Sequence, residues 1–415
     1  MVKGILVILD GIGDTGCEQF GGKTPLEVAE TPNLDYFASH GELGYMYPIN
    51  ENIVPGSDNA VVSILGNNSS VSSRGQFEAI GAGFKLQRGD LALRTNFSTI
   101  DNLESGKVID RRAGRTLTTR EAIILGKAIK KQMKLPVKFI FQPTIQHRGV
   151  LIFRGGFSDN ITNTDSHYLN SKGKFKNKFK FSQPLDEDDN SQYTCNVLNE
   201  FIAQSYQILK NHPINLERKK KGLLPANIIL TRGGGIETPK LKNMKNWCAV
   251  AYMPLEKGIA KLAGMNVFSF NYPKMKKYDV YATLYKGFNT AIKFSLKIMK
   301  KKFKKFDYAY LHFKETDLPG HDNKPRDKVK MIEILDSKFF SKLKEYAVKN
   351  KVKVIVTGDH STPCNLKEHS ADPVPVLFFD GKKRKEKRFT EPICKKGNLG
   401  KIIGKELLKK VKFIK

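Results

Sequence analysis

Cysteine is scarce in this 415-residue chain, and its spacing follows no pattern. The five cysteines are odd in number, lie far apart and never form a Cys-x-x-Cys pair. Disulfide frameworks and thiolate zinc sites both need paired or closely spaced cysteines. The sequence therefore predicts reduced thiols, as in a cytoplasmic protein.

Long hydrophobic runs are also missing. No stretch approaches the ~18 apolar residues that a membrane-spanning helix needs. The first apolar run, residues 5–9, has only five residues and is ended by Asp10, so it is too short for the core of a signal peptide. We expect a cytoplasmic protein without a membrane partner.

Acidic residues are few, 41 against 71 Lys and Arg, which gives a net charge of +30. Such an excess invites a nucleic-acid-binding interpretation. The surplus is mostly lysine in runs such as Arg218–Lys221, Lys300–Lys305 and Lys382–Arg388, without the interleaved aromatics on which single strands stack. We therefore expect solvated surfaces and no specific nucleic-acid partner. Nonspecific polyanion binding stays open, and the charge would steer an anionic small molecule.

A folded core is clearly present, since 40% of the residues are hydrophobic. The chain exceeds the ~250–300 residues at which single cores stop growing, so two domains are expected. Apolar runs rich in β-branched residues predict buried strands at 3–9, 307–313, 351–357 and 374–379. Apolar residues spaced by three or four, from Ile332 to Tyr346, predict a helix between two of them. This alternation indicates an α/β fold with a mostly parallel sheet flanked by helices.

The middle of the chain has a different pattern. Shorter strand-like pieces at 91–100, 137–142 and 149–153 accompany helical stretches at 120–134 and 195–210. The runs Asn67–Ser73 and Arg232–Gly235 are typical of linkers. We predict a second α/β domain at 73–237, inserted between the two parts of the first domain at 1–72 and 238–415.

Polar side chains follow three of the predicted strands. Asp10 comes directly after the first, Asp317 follows the second by four residues, and Asp359 with His360 follows the third. Because ligands of open α/β sheets bind beyond the carboxyl ends of the strands, we expect these groups at one edge. His321 follows Asp317 by four residues, and Pro319 and Gly320 between them predict a loop there because they disfavour a helix. His369 follows His360 by nine residues in a polar segment, which also predicts a loop. Each motif alone also fits an ordinary turn or capping residue.

Carboxylates and imidazoles without thiolates suit Mn²⁺, Mg²⁺, Co²⁺ or Zn²⁺, and the sequence does not choose among them. Ser57 precedes the apolar run 61–65, where a serine is most often a helix N-cap. The same position offers free backbone N–H groups to a phosphate, and a metal at its oxygen would make the serine a nucleophile. The middle region also carries arginines that could bind phosphate or carboxylate with both nitrogens, although each alone also fits a surface residue. They are Arg111, Arg112, Arg115, Arg148, Arg154 and Arg232.

Ten segments carry a resemblance that spans nearly the whole chain. They are LVILDGIGD (6–14), TPLEVAETPNLD (24–35), GSDNAVVSILG (56–66), RGQFEAIGAG (74–83), DRRAGR (110–115), HRGVLIFRGG (147–156), LTRGGG (230–235), KGIAKLAGM (257–265), KETDLPGHD (314–322) and TGDHSTPCNLKEHSADPVP (357–375). Together they resemble the archaeal-type branch of the cofactor-independent phosphoglycerate mutases, which belong to the alkaline-phosphatase superfamily.

The resemblance implies an alkaline-phosphatase-like domain with an inserted phosphotransferase domain. It implies two divalent metal ions, most consistent with Mn²⁺ or Mg²⁺, and no organic cofactor. One ion would be held by Asp10, Ser57, Asp359 and His360, and the other by Asp317, His321 and His369. Ser57 would carry the phosphoryl group during interconversion of 3-phosphoglycerate and 2-phosphoglycerate. The implied substrate-binding residues are His147, Arg148, Asp159, Arg232 and Lys257.

Two alternatives stay open at this point. The first is a metal-dependent phosphatase, phosphodiesterase or phosphopentomutase on the same core. The second is a basic polyanion-binding protein without catalysis, whose binding would be salt-dependent and would survive chelation. The sequence also leaves the oligomeric state open.

Overall fold

The computed structural model describes residues 2–71, 73–165, 178–275, 278–384 and 388–414. Ser72, at the predicted domain boundary, and residues 385–387 of the third lysine run lie outside the described residues. In chain order the strands are β1 Gly4–Leu9, β2 Gly41–Tyr47, β3 Leu91–Ile100, β4 Val108–Asp110, β5 Phe139–Pro143, β6 Arg148–Phe153, β7 Ile228–Gly235, β8 Trp247–Val250, β9 Asn266–Phe268, β10 Tyr308–Phe313, β11 Lys353–Thr357, β12 Val374–Phe379 and β13 Gly400–Ile403.

The helices of the described residues are α1 Pro25–Val28, α2 Pro32–Ser39, α3 Ser57–Ile64, α4 Arg74–Gly81, α5 Thr119–Gln132, α6 Asp189–Lys210, α7 Pro213–Lys220, α8 Pro254–Leu262, α9 Val280–Lys302, α10 Asp317–His321, α11 Pro325–Leu335, α12 Ser341–Asn350, α13 Glu391–Lys395 and α14 Leu407–Lys410. A π-helical turn, Asp336–Phe340, joins α11 to α12. The helix predicted from the apolar spacing between 332 and 346 is therefore confirmed. None of the described helices is long and apolar enough to cross a membrane.

The larger sheet has eight strands in the order β13-β2-β12-β11-β1-β10-β8-β9. Its central strands β8, β10, β1 and β11 are parallel to one another, as predicted. Strand β12 is antiparallel to both β11 and β2. The sheet is thus mostly parallel, as predicted, and β12 departs from that pattern because the chain returns from β11 through a loop and has no crossover helix there.

Both faces of the larger sheet are covered by helices. On β1, Ile5, Val7 and Leu9 belong to one buried apolar cluster, and Leu6 and Ile8 belong to another. Successive side chains of a strand point to opposite faces, so a strand buried on both sides reads as a continuous apolar run. This explains why the sequence of β1 shows no alternation.

The smaller sheet has five antiparallel strands in the order β4-β3-β6-β5, with β7 paired to β3 on its other edge. All five lie within the predicted inserted segment, whose end points stay predictions. The run Arg232–Gly235, predicted as a linker, is the end of β7 and pairs with β3 through Arg94 and Ala92. That interpretation is wrong because β-sheet pairing outweighs the conformational freedom of three glycines.

Helix α4 connects the two sheets. It packs against β3 on one side and crosses α8 at very short range on the other. A Cβ at Gly258 of α8 would lie only 1.9 Å from the carbonyl oxygen of Phe77 in α4. Glycine is thus required at this crossing. The contact fixes one end of the cleft in which the candidate site lies.

Candidate active site

A buried group of side chains lies at the carboxyl edge of the larger sheet. Because β1 and β11 are parallel neighbours, Asp10 and Asp359, which follow them, arrive side by side. The Nε2 atom of His360 is 3.0 Å from Asp10 Oδ1 and 3.6 Å from Asp359 Oδ2. These three residues are fully or almost fully buried. The sheet order therefore places them as the strand ends predicted.

A second, half-buried group adjoins the first. Asp317 Oδ2 is 3.4 Å from His321 Nε2, and Asp317 Oδ1 is 3.8 Å from His369 Nε2. The ring of His369 stacks on that of His360 with centroids 3.6 Å apart, so the two groups are contiguous. All three imidazoles face one carboxylate-lined region.

Asp317 and His321 lie on the five-residue helix α10, and not on the predicted loop. That prediction is wrong because Pro319 occupies the first turn, where a backbone N–H would have no helical partner and its absence costs nothing. The helix places residues four apart on the same face. It thereby aligns the carboxylate and the imidazole.

Backbone carbonyls orient the two half-buried histidines. His321 Nδ1 lies 2.8 Å from the carbonyl oxygen of Lys367, and His369 Nδ1 lies 2.9 Å from that of Pro55. A carbonyl only accepts hydrogen bonds, so each Nδ1 carries the proton and each Nε2 presents a lone pair. Both lone pairs point toward Asp317, which is the orientation that metal-binding histidines need.

Ser57 is the first residue of α3, and Gly56 is its N-cap. The serine is therefore not a capping residue. Its Oγ lies 3.3 Å from His360 Nε2, at the junction of the two groups. At the first turn of an eight-residue helix it lies beside backbone N–H groups that have no helical partner. This is a suitable position for a hydroxyl that receives an anionic group.

Three buried groups beside Asp10 were missed by the sequence analysis. Lys314 contacts Asp10 Oδ2 and lies 2.9 Å from Glu256 Oε1. His312 Nε2 lies 3.9 Å from Asp10 Oδ2 and 3.8 Å from Asp359 Oδ2. Lys314 directly follows β10, as Asp10 follows β1, so the strand-end rule could have found it. No sequence signal distinguishes Glu256, a glutamate in the first turn of α8, from a solvated one.

The local charges shift several pKa values. Burial favours the neutral form of Asp10, but the Lys314 ammonium and His360 together outweigh it and hold the pKa of Asp10 below its usual range. Burial and the Asp10 carboxylate raise the pKa of Asp359 to about 7. Because the Asp10 and Asp359 carboxylates lie so close that the charge on one disfavours the charge on the other, the pair favours a bound cation.

The opposite wall of the cleft is lined with arginines. The cavity has a volume of about 150 Å³. One side of its lining, called here the metal-side wall, contains Asp10, Ser57, Asp317, His321 and His369. The other side, called the arginine wall, contains His147, Arg74, Arg94, Arg112, Arg115, Arg148 and Arg232. Burial and the surrounding arginines hold the pKa of His147 well below its usual value, so this imidazole is neutral at physiological pH.

Two predicted substrate-binding residues do not line this cavity. Asp159 is exposed, and its carboxylate accepts a hydrogen bond from the backbone N–H of Ile236. Lys257, on α8, is likewise absent from the lining. His147, Arg148 and Arg232 line the cavity, and the substrate-binding role of all five residues stays a prediction. Arg111, considered as an anion-binding residue, pairs instead with Asp165 at 2.8 Å.

The side chains at the sheet edge fit divalent cations. Asp359 Oδ2 is buried without a hydrogen-bond partner among the described residues, a costly state unless a cation compensates it. One ligand atom from each of Asp10, Asp359 and His360 lies within 4.8 Å of the others, and the same holds for Asp317, His360 and His369. Carboxylate oxygens and imidazole nitrogens are ligands for Mn²⁺, Mg²⁺, Co²⁺ and Zn²⁺.

Comparison with known proteins identifies the family. A sequence model of 2,3-bisphosphoglycerate-independent phosphoglycerate mutase matches residues 38–215. A protein of that name from Thermococcus kodakarensis is 39% identical over 98% of this chain and 95% of its own length. One from Pyrococcus furiosus is 38% identical over 98% and 95%. The chain belongs to this family.

Solved structures agree with the assignment to the phosphoglycerate mutase family. A protein structure from Pyrococcus horikoshii has a TM-score of 0.72 and 30% identity, and the match covers 100% of this chain and 98% of that one. The cofactor-independent phosphoglycerate mutase from Thermoplasma acidophilum has a TM-score of 0.56 and 27% identity, covering 100% and 99%. The predictions of the family, of its α/β fold and of an isomerase are confirmed.

Proposed function

We propose that this chain interconverts 3-phosphoglycerate and 2-phosphoglycerate through a phosphoserine on Ser57, without 2,3-bisphosphoglycerate. The observation that carries the proposal is the position of Ser57. Its Oγ lies 3.3 Å from His360 Nε2 and opens onto a cavity whose far wall is lined with arginines. A nucleophile between a cation-binding wall and an anion-binding wall suits phosphoryl transfer.

The chain's residues divide into two ligand sets for divalent ions. Asp10, Ser57, Asp359 and His360 would hold one ion, and Asp317, His321 and His369 the other. Bound divalent ions would lower the pKa of the serine hydroxyl and neutralise charge on the phosphoryl oxygens. Mn²⁺ or Mg²⁺ is proposed first, and Co²⁺ or Zn²⁺ also fits the ligand set.

The arginine wall would bind the substrate. Phosphoglycerate carries a phosphate and a carboxylate, and planar guanidinium groups bind both with paired hydrogen bonds. Arg148 is well suited, since its Nε is buried without a hydrogen-bond partner among the described residues and its Nη1 contacts only the sulfur of Met253, at 3.7 Å. While the phosphoryl group is on Ser57, this wall would retain glycerate until its other hydroxyl faces the serine.

Retention of glycerate separates a mutase from a phosphatase on the same core. A hydrolase must admit water to the phosphoserine, whereas a mutase must exclude it. The six arginines and His147 that line one side of this small cavity favour an acceptor that is itself anionic. We therefore prefer the mutase reaction to the phosphatase, phosphodiesterase and phosphopentomutase alternatives.

The test is incubation with 3-phosphoglycerate and Mn²⁺ or Mg²⁺, with 2,3-bisphosphoglycerate absent. We expect 2-phosphoglycerate to form without equivalent free phosphate, and mass spectrometry of acid-quenched enzyme to find a phosphoryl group on Ser57. Ser57→Ala should lower kcat at least ~10³-fold, because the covalent route is lost.

Ser63→Ala is the matched control, since Ser63 is another buried serine of α3 that does not line the cavity. It should retain activity close to that of the unmodified enzyme. Accumulation of phosphate without 2-phosphoglycerate would show a hydrolase, and an unchanged rate for Ser57→Ala would contradict the phosphoserine mechanism.

A further inference from the structure

One ion pair joins the arginine wall to the metal-side wall. Arg115 lies between β4 and α5, in the segment that carries the smaller sheet, and it lines the cavity. Its Nη1 contacts Oδ1 of Asp322, the residue that directly follows His321 and caps the carboxyl end of α10. The two side chains are 22% and 23% exposed. The pair therefore connects a cavity-lining arginine to the short helix that carries Asp317 and His321.

The carboxylate of Asp322 is held from a second direction by a tyrosine. The hydroxyl of Tyr281, in the first turn of α9, donates a 3.0 Å hydrogen bond to Asp322 Oδ2. Each carboxylate oxygen thus has its own partner, and the hydrogen bond to an ionised acceptor is of the strong kind. Mobile surface ion pairs contribute little because two long side chains must first be ordered. Here the orientation of Asp322 toward Arg115 is set by the protein.

The turn that presents Arg115 is strained and braced. Ala113, Gly114 and Arg115 have positive φ angles of 46°, 65° and 57°, which are unfavourable for the two residues that carry a Cβ. Asp110 Oδ1 accepts a 2.8 Å hydrogen bond from the backbone N–H of Gly114, and the buried Arg218 donates a 3.3 Å hydrogen bond to the carbonyl oxygen of Ala113. Strain that neighbouring contacts maintain in this way is typical of functional positions.

We propose that the Arg115–Asp322 pair is a latch that holds the two walls together while the phosphoryl group is on Ser57. The crossing of α4 and α8 is a tight backbone contact, whereas an ion pair between two side chains can open to admit substrate and then close. A closed cleft retains glycerate and excludes water. Asp322 is thus a positioning residue that determines specificity for transfer over hydrolysis.

The two reactions differ only in the acceptor. In each, an oxygen of glycerate or of water bonds to the phosphorus, the bond from phosphorus to Ser57 Oγ breaks, and the proton of the acceptor ends on Oγ. Transfer to glycerate gives phosphoglycerate, and transfer to water gives free phosphate. The inference rests on the proposed function, since it takes the phosphoserine on Ser57 as the intermediate.

The test is the ratio of free phosphate released to 2-phosphoglycerate formed when the full chain acts on 3-phosphoglycerate with Mn²⁺. Asp322→Ala should raise this ratio at least ~10-fold, because it removes the ion pair and a hydrogen bond to a charged group. Tyr281→Phe removes only the hydrogen bond and should raise the ratio less. Asp322→Glu keeps a carboxylate and should give a ratio closer to that of the unmodified enzyme. A merely structural residue would lower both rates and leave the ratio unchanged.

Asp327→Ala is the matched control. Asp327 is also a half-buried carboxylate that accepts a hydrogen bond from a tyrosine of α9, Tyr285, at 2.7 Å. That bond joins α9 to α11 without reaching the arginine wall, and Asp327 does not line the cavity. The control should leave the ratio unchanged.

An unchanged ratio in Asp322→Ala, or equal rises in Asp322→Ala and Asp327→Ala, would overturn the inference. If Asp322→Ala is inactive in both reactions, Tyr281→Phe decides: a raised ratio supports the latch, and an unchanged ratio overturns it. Failure of the unmodified enzyme to form 2-phosphoglycerate would instead contradict the proposed function. The two failures are therefore distinguishable.

Discussion

The two walls of the cleft differ in charge and in how the fold builds them. The metal-side wall consists of carboxylates and imidazoles delivered by the ends of β1, β10 and β11 in the larger sheet. The arginine wall comes largely from strands of the smaller sheet, with Arg94 on β3, Arg148 on β6 and Arg232 on β7. One wall suits cations and the other suits anions.

This difference explains why neither wall is a complete site. The carboxylates alone bind a cation but cannot hold an organic acid, and the arginines alone bind an anion without a nucleophile. Ser57 lies on the metal-side wall and faces the arginines. Under the proposed function, the larger sheet would supply the nucleophile and the metal ligands, and the smaller sheet would retain the substrate.

Disabling the metal-side wall should have the largest effect on activity. Asp359→Asn removes a buried charge at the first ligand set, and we expect kcat/KM to fall at least ~10³-fold in Mn²⁺ or Mg²⁺. Chelation of the unmodified enzyme with EDTA should abolish activity, and added Mn²⁺ should restore it. Isomerisation of 3-phosphoglycerate is measured in each case.

Asp372→Asn is the matched control for Asp359→Asn. Asp372 lies in the loop that carries His369, but it does not line the cavity. This variant should keep the metal requirement and a near-normal rate. Full activity of Asp359→Asn, or activity that survives exhaustive chelation, would contradict the assignment of this wall to the chemistry.

The metal-side wall was largely predictable, and the reason is local. A buried strand followed by a polar residue is a pattern within ten residues of sequence, and parallel neighbours bring such residues to one edge. Asp10, Asp359 and His360 were found by that rule. Lys314 satisfies the same rule, yet its ion contacts with Asp10 and Glu256 depend on sheet order and on α8, which the rule does not contain.

The arginine wall was harder to predict. Surface and cleft arginines have the same sequence appearance, so Arg148 and Arg232 were two of several candidate anion-binding arginines until the family resemblance selected them, while Arg74 and Arg94 were not found. The antiparallel course of β12 and the pairing of Arg232–Gly235 with β3 depend on contacts between distant segments. Local propensity is too weak to decide such contacts.

The second prediction weakens the arginine wall alone. Arg148→Ala removes a guanidinium that has few partners within the protein, and a hydrogen bond to a charged group contributes about 1.5–3 kcal/mol. We therefore expect KM for 3-phosphoglycerate to rise roughly 10- to 100-fold, with Mn²⁺ binding unchanged. Steady-state kinetics and a metal titration measure the two quantities separately.

Arg120→Ala, at an exposed arginine near the start of α5, controls for the loss of one positive charge. It should leave KM close to that of the unmodified enzyme. Equal increases in KM for both variants would mean that overall charge, and not the wall, attracts the substrate. Loss of Mn²⁺ binding in Arg148→Ala would mean that the two walls are not separable.

The smallest expected effect concerns Glu391, a buried carboxyl of α13 that does not line the cavity. It accepts a 2.7 Å hydrogen bond from the hydroxyl of Thr24, and burial raises its pKa to about 7, from 4.5. Between pH 4.5 and 7 the unfolded chain loses this proton while the folded chain keeps it, so the free energy of unfolding falls as pH rises. In Glu391→Gln the glutamine resembles the protonated acid at every pH. Its free energy of unfolding should therefore not fall with pH in this way.

Urea unfolding in EDTA at pH 5 and pH 8 measures this effect. We subtract the free energy of unfolding of the unmodified protein from that of Glu391→Gln at each pH. This difference should be larger at pH 8 than at pH 5, by on the order of 2–3 kcal/mol, so the variant gains stability relative to the unmodified protein. Glu200→Gln, at an exposed glutamate of α6, should show little such change. Parallel pH dependence of Glu391→Gln and the unmodified protein would mean that this carboxyl is already ionised in the folded chain.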